Sequence, residues 1–161
     1  MTKPDLRFLL AHPAHFLALG FGSGLAPRAP GTFGTLAAFP LFVLWLWLGL
    51  PEGLMLLLTA FLFVAGVPIC ARAGRSLGAH DPGAIVWDEI VAMLLVLIYA
   101  PPTAAGWLLA FALFRLFDIV KPWPIRVVDA RVGGGLGVML DDLFAAVFAL
   151  AVQAAVWRVL A

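Results

Sequence analysis

Charged residues are scarce in this 161-residue sequence. Only 12% of its residues are Asp, Glu, Lys or Arg, whereas 64% are hydrophobic. A soluble globular domain carries about 25% charged residues, so the composition excludes an ordinary soluble domain and predicts an integral membrane protein. The net charge of +1 does not bear on nucleic-acid binding, and because no basic tract is present, no nucleic-acid partner is expected.

Several residues that known catalytic or nucleotide-binding motifs need are also missing. Cys70 is the only cysteine, which excludes an internal disulfide, and Ser76 stands where a C-x5-R cysteine phosphatase has its arginine. A phosphohistidine lipid phosphatase needs a late histidine, but the last one is His80. His80 and Asp81 have two readings: they could act together as an acid or base in a loop, or they could be a solvated pair. The glycine-rich segment 20–34 has no Gly-Lys-Ser/Thr, so it is not a Walker loop.

Long uncharged runs predict the membrane-spanning helices. A spanning helix needs roughly 20 apolar residues, and the turn Ala100–Thr103 divides one long run into two helices. We expect an all-α polytopic membrane helical bundle in which residues 1–161 form a single integral-membrane domain. The five predicted spans are 34–50, 53–71, 86–100, 104–119 and 142–160.

The N-terminal segment 8–27 is uncharged as well, but histidines, a proline and three glycines interrupt it. It lacks the small-residue cleavage site of a signal peptide. A crossing would place Lys3 and Arg7 outside, against the positive-inside rule. We therefore predict an N-terminal interfacial or re-entrant helix, with His12 and His15 at the interface; a sixth span is the alternative.

The order of the predicted spans places the connecting segments 20–34, 72–87 and 119–141 on one face of the membrane. This face carries most of the basic residues, so it is predicted to be cytoplasmic. Its basic residues are Arg28, Arg72, Arg75, Lys121, Arg126 and Arg131. The acids on or near it are Asp81, Asp88, Glu89, Asp118, Asp129, Asp141 and Asp142.

Five of these acids stand at the ends of three predicted helices. Acids in a first turn also complement the helix dipole, and Arg115 could simply neutralise Asp118 three residues later. However, carboxylates near lipid would become neutral unless a cation binds them, and all-oxygen sites suit Mg²⁺ or Mn²⁺. Convergence on one face therefore predicts a metal site. The candidate ligands are Asp88, Glu89, Asp118, Asp141 and Asp142.

Glycines and cations near these acids predict a phosphate site. In 20–35, backbone N–H groups can approach an anion and the next helix adds its dipole, although glycine also serves close helix packing. The cluster 133–137 predicts a flexible element before the last span. Asp129 lies near Arg126 and Arg131, so a local ion pair also explains it. The candidate headgroup-binding residues are Ser23, Arg28, Gly31, Thr32, Arg115 and Lys121.

Three blocks of the sequence closely resemble the phosphatidylglycerophosphatase A family of bacterial lipid phosphatases. They are GFGSGLAPRAPGTFGTLAAFP at 20–40, IVWDE at 85–89 and RLFDIVKPWPIRVVDARVGGGLGVMLDD at 115–142. The resemblance covers about 20–146, with the blocks in the same order. One departure is Ala92, where the family is expected to carry glycine; one turn below the acids, it affects helix packing more than chemistry.

The resemblance implies a Mg²⁺-dependent phosphomonoesterase of the bacterial cytoplasmic (inner) membrane, with its active site at the cytoplasmic face. It would convert phosphatidylglycerol phosphate in the bilayer into phosphatidylglycerol and inorganic phosphate. The same five acids would carry the metal and catalytic roles, with Glu89 the first choice of general base. Arg115, Lys121 and Arg28 would stabilise charge on the phosphoryl oxygens. The acyl chains would stay in lipid and enter between helices.

Two alternatives come from other functional classes. A CDP-alcohol phosphotransferase also uses membrane aspartates, but its motif needs further acids where Asp141 and Asp142 are followed by LFAAVFALAV. A small cation carrier would place its acids near the bilayer midplane on broken helices. Here the acids are predicted at helix ends on one face, which favours the phosphatase.

Overall fold

The computed structural model describes residues 4–78 and 83–160, and all regular secondary structure in these ranges is helical. This confirms the all-α prediction; His80 and Asp81 lie outside the described residues. The elements are α1 (Leu6–Leu10), α2 (Pro13–Ala18), a 3-10 segment (Gly20–Leu25), α3 (Pro30–Trp47), α4 (Glu52–Leu77), α5 (Trp87–Ile98), α6 (Ala104–Val120), α7 (Ile125–Arg131) and α8 (Gly134–Leu160).

Three helices, α3, α4 and α8, are long and apolar enough to cross a membrane. Helices α5 and α6 occupy the predicted spans 86–100 and 104–119, but they have only 12 and 17 residues. At 1.5 Å per residue they are about 18 and 25 Å long, compared with about 30 Å for a hydrocarbon core. Five spans therefore stay a prediction, whereas the positions of the five helices agree with the sequence.

The N-terminal segment is broken into α1, α2 and the 3-10 segment, each far shorter than a membrane span. His15 was expected at the interface but is buried between helices. Its Nε2 lies 3.1 Å from the Ser76 hydroxyl of α4, and its Nδ1 lies 3.0 Å from the Phe8 carbonyl oxygen. These contacts hold the N-terminal helices on the side of α4.

Helix α5 lies at the centre of the bundle, packed against α3, α4, α6 and α8. Met93, Leu94 and Leu97 are completely buried. A helix that is hydrophobic on all sides is stable only in such surroundings. Because α5 is enclosed, its first turn, which carries Asp88 and Glu89, is also held inside the bundle.

The last helix begins earlier than the sequence suggested. Since α8 starts at Gly134, Asp141 and Asp142 do not begin the helix; they lie about two turns, or 12 Å, inside it. The helix also includes Gly134, Gly135 and Gly137, so these three residues do not form the predicted flexible element, and Gly133 lies just before the helix. A Cβ on Gly135 would overlap the Val67 carbonyl oxygen and lie close to the backbone of Ala71. This glycine therefore allows close contact between α4 and α8.

Three predicted connecting segments are also partly helical. Helix α4 continues through Arg72 and Arg75 to Leu77, and α7 forms within 119–141. Helix α3 begins at Pro30, a residue favoured at the first helical position because its φ angle is already suitable. Gly31 and Thr32 therefore lie in a helical first turn rather than in a loop.

We expect Gly135→Ala to lower the free energy of unfolding by about 1–3 kcal/mol, because the new methyl group meets α4 backbone that cannot move aside independently. Thermal unfolding in detergent measures the change. The matched control is Gly53→Ala on α4, where a Cβ has no neighbour within 4 Å and alanine favours the helix. Equal unfolding midpoints for the two variants would contradict the close helix contact.

Candidate active site

Three acidic side chains meet inside the bundle. Asp88, Glu89 and Asp142 each offer one carboxylate oxygen, and these atoms all lie within 4.8 Å of one another. We call them the carboxylate cluster. Asp88 is 8% exposed and Asp142 is 3% exposed, so water reaches the cluster poorly. Two neighbouring residues of α5 and one residue of α8 thus form one acidic site.

A tryptophan contact positions the first turn of α5. The buried Trp87 donates a hydrogen bond from Nε1 to the Leu62 carbonyl oxygen of α4, at 3.2 Å. Gly66, one turn further along α4, leaves space for the Trp87 ring and for Met139 of α8. Met139 precedes Asp142 by nearly one helical turn, so the same contact region orients acids from both helices.

Each member of the cluster has a buried oxygen that lacks a hydrogen-bond partner within the described part of the chain. These atoms are Asp88 Oδ1, Glu89 Oε2 and Asp142 Oδ2. Burying polar atoms without partners is costly. Oxygen ligands of negative charge are the type that Mg²⁺ prefers, so the residues present fit a divalent cation.

Helix α6 contributes a cation and a fourth acid beside the cluster. Arg115 Nη1 donates a hydrogen bond to Asp118 Oδ2 at 2.5 Å and lies 3.9 Å from Glu89 Oε1. Asp118 is also close enough to Asp142 for the two carboxyl groups to interact. The arginine thus neutralises part of the acidic charge and holds Asp118 at the edge of the cluster.

The first turn of α3 reaches the same place. A Cβ on Gly31 would overlap Glu89 Oε1 and would lie 3.1 Å from Arg115 Nη1. The absence of a side chain at Gly31 therefore leaves room for the Glu89 and Arg115 side chains to meet. The close approach of α3 at Gly31 also brings the positive end of the α3 dipole to the cluster, where it would stabilise an anion.

Lys121 connects the end of α6 to α7 and α8. Its Nζ donates to Asp129 Oδ1 at 2.9 Å and to Asp141 Oδ2 at 2.5 Å. Burial alone would lower the pKa of Lys121, but these hydrogen bonds and the two negative charges outweigh it, so the pKa is raised and the lysine stays charged. Asp129 thus pairs with Lys121, rather than with Arg126 or Arg131, the local alternative that the sequence left open.

The predicted acids do not all face the same partner, because they lie at different angles around their helices. Neighbouring helix positions are about 100° apart, so Asp142 faces the cluster while Asp141 faces Lys121. Of the five predicted metal ligands, three form the cluster and Asp118 borders it. Asp141 takes part instead in the contact with Lys121.

Only some of the predicted headgroup-binding residues lie near the acids. Gly31 and Arg115 lie at the cluster, and Lys121 lies beside Asp141. The Ser23 hydroxyl instead donates to the Gly20 carbonyl oxygen at 2.9 Å, and Arg28 is exposed. Across residues 4–78 and 83–160, no ion pair is formed by Arg28 and no side-chain hydrogen bond by Thr32.

Two positioning residues were not identified from the sequence. The sequence did contain a signal for Trp87, because this residue lies immediately before Asp88 in one of the three blocks. However, a tryptophan in a membrane protein also suits an interfacial belt. Gly66 had none, since glycine is common in membrane helices. Only the packing of α4 against α5 and α8 shows what both residues do.

Comparisons with known proteins agree with these motifs. The family model described as phosphatidylglycerophosphatase A matches residues 16–157. A phosphatidylglycerophosphatase A from Haemophilus influenzae is 46% identical over 156 residues, which cover 96% of this chain and 95% of the relative. One from Escherichia coli K12 is 44% identical over 142 residues, which cover 88% of this chain and 81% of the relative. No solved structure matches the chain.

The family model spans nearly the whole chain, and it includes all the residues of the cluster and their partners on α3, α6 and α8. This chain belongs to the phosphatidylglycerophosphatase A family of phosphatases.

Proposed function

We propose that the protein hydrolyses the terminal phosphate monoester of phosphatidylglycerol phosphate in a Mg²⁺-dependent reaction that yields phosphatidylglycerol and inorganic phosphate. The substrate follows from the names of the relatives. The observation that carries the chemistry is the buried carboxylate cluster beside Arg115. An acidic site with an adjoining cation suits a metal-assisted reaction of an anionic group.

In this proposal Asp88 and Asp142 hold Mg²⁺ with Glu89 beside them, because oxygens of the three side chains converge and Asp88 and Asp142 each have one without a partner among the described residues. The bound ion would offset phosphate charge and lower the pKa of a water molecule. Asp118 is kept beside these ligands by Arg115, so it can accept a hydrogen bond from water or complete the ligand set.

Phosphate recognition is assigned to Arg115 and the start of α3. A guanidinium has five N–H donors, and among the described residues Arg115 Nε is buried without a hydrogen-bond partner. Gly31 lets the α3 N-terminus approach the same point. These fixed positive groups would stabilise the negative charge on the phosphoryl oxygens during transfer.

Hydrolysis then requires a base to position the attacking water. Glu89 is our candidate, because it lies between Asp88 and Arg115 and its Oε2 has no hydrogen-bond partner in the described chain. Water would attack phosphorus and give its proton to Glu89. The bond from phosphorus to the glycerol oxygen breaks, and that oxygen leaves as an alcohol by taking the proton from Glu89, directly or through water, which restores the Glu89 carboxylate.

The proposed location is the bacterial cytoplasmic membrane, with the site facing the cytoplasm. Helices α3, α4 and α8 would span it, and we propose α5 and α6 as two shorter spans and the N-terminal helices as interfacial or re-entrant. The end of the bundle near the cluster carries Arg72, Arg75 and Lys121 together with α7. Positive residues at this end favour a cytoplasmic orientation.

A small cation carrier is the second candidate, because the cluster is buried and Asp142 lies well inside α8. Transport sites are commonly formed where membrane helices are interrupted. In the described residues, α5 and α8 continue past their acids without interruption. The phosphatase therefore remains the better supported function.

Purified protein in detergent micelles should release inorganic phosphate from phosphatidylglycerol phosphate when Mg²⁺ is present. Excess chelator should stop release and added Mg²⁺ should restore it, because the acids alone repel the substrate phosphate. No release by folded, metal-loaded protein would contradict the phosphatase. Release that continues at the same rate under chelator would instead contradict the metal requirement.

Neutral isosteres at the acids should remove most activity while the protein still folds. For Asp88→Asn, Glu89→Gln and Asp142→Asn we expect kcat to fall by about 10²–10³-fold, the loss seen when a transition-state contact is removed. Asp118→Asn and Asp141→Asn should also lose most activity. The controls are Arg72→Ala and Arg75→Ala, which change exposed side chains of α4 and should have little effect. A strong loss in these controls would place the site elsewhere.

A further inference from the structure

An apolar cleft of about 350 Å³ lies between α4, α5 and α8. Sites for small molecules commonly have volumes of about 300–1,000 Å³. Asp88 is the one charged residue among the described residues of its lining. The lining hydroxyl of Thr59 is already engaged, because it donates to the Met55 carbonyl oxygen at 2.8 Å. The cleft therefore offers an apolar surface that ends at the carboxylate cluster.

The lining follows one face of each of two helices. On α5 it extends from Asp88 to Leu95, and on α4 from Val64 back to Leu56, with lining residues at the three- and four-residue spacing of one helix face. Residues at this spacing share one helix face. Seven residues of helix correspond to about 10 Å. The cleft is therefore an elongated groove along α5, leading away from the acids toward the Ala100–Thr103 turn.

The groove opens through the side of α4. Ala60 and Val64 line it and are exposed, and Val64 is 68% accessible. Because α4 is long and apolar enough to cross a membrane, this opening faces lipid in a membrane-embedded protein. A ligand could enter sideways and would have one end at the carboxylate cluster and the rest among apolar side chains.

We propose that this groove receives an acyl chain of the lipid substrate and so places the headgroup phosphate at the carboxylate cluster. The inference rests on the proposed function, and it specifies which helices meet the chain. The occupant is identified by the chemistry of the two ends: an anionic group bound at the acids through a cation, joined to a long apolar segment. A lipid phosphate ester has both parts.

The groove positions the lipid substrate more than it increases the affinity for it. Lipid tails are as apolar as the side chains of the groove, so moving a chain from the bilayer into the protein gains little hydrophobic free energy. However, a displacement of about 1 Å at the reacting atoms can reduce the rate by about 10²-fold. A blocked groove should therefore slow the reaction of the lipid without disturbing the reaction of its isolated headgroup.

The test compares Ala60→Phe and Ala92→Phe with the wild type. Ala60 lies at the opening, whereas Ala92 lines the groove from the interior and is 4% exposed, so a phenyl ring there cannot turn outward. The matched control is Ala112→Phe, at an exposed position of α6 outside the groove lining. The substrates are phosphatidylglycerol phosphate and its deacylated form, glycerophosphoglycerol phosphate.

For both groove variants we expect kcat/KM for the lipid to fall by about 10- to 100-fold, with less than a twofold change for the deacylated substrate and no change in the control. Equal losses for both substrates, or no loss for the lipid in folded protein, would overturn the inference. A wild type that hydrolyses neither substrate would instead contradict the proposed function.

Photolabelling tests the groove independently of activity. We expect phosphatidylglycerol with a photoactivatable group in its acyl chain to label the α4 segment 56–64 and the α5 segment 91–95 in preference to other helices. Ala60→Phe should reduce this labelling at least severalfold. Labelling distributed evenly over exposed helices such as α3, unchanged by the substitution, would show lipid contact without a specific groove.

Discussion

Repulsion among buried carboxylates is the constraint on which this structure depends. Asp88, Glu89 and Asp142 meet within 4.8 Å, and Asp118 borders them. Such charges are costly away from water unless positive charge is supplied. Arg115 supplies part of it. The buried oxygens that lack partners in the described chain fit the further cation that we propose. The proposed metal and phosphate chemistry thus follows from the excess of negative charge that the fold buries.

The bundle keeps these acids together by close helix contacts. Helix α5 is apolar apart from Asp88 and Glu89, and its enclosure by four neighbouring helices fixes the position of its first turn. Gly135 allows α8 to approach α4, and Gly31 allows α3 to approach Glu89 and Arg115. Small residues therefore determine the site as directly as the acids do, since an added methyl group at either glycine would meet atoms of a neighbouring helix or of the site.

The helical class, the positions of the five main helices and the family could be predicted from the sequence, because long apolar runs and the three motif blocks are strong signals. It did not show that Asp141 and Asp142 face different partners or that α8 starts at Gly134. Glycines indicated a flexible segment, whereas packing against Val67 and Ala71 stabilises a helix there. The groove was also missed, since its lining on α4 has the same spacing as any apolar helix face.

Direct metal binding tests the central claim, that the carboxylate cluster is one cation site. Mn²⁺ can replace Mg²⁺ at oxygen ligands, and its electron paramagnetic resonance signal distinguishes bound from free ion. We expect wild-type protein in detergent to bind Mn²⁺, and the double variant Asp88→Asn/Asp142→Asn to lose this binding while remaining folded. Glu52→Gln, which removes an exposed acid of α4, should leave it intact. Equal Mn²⁺ binding by wild type and double variant would contradict the account.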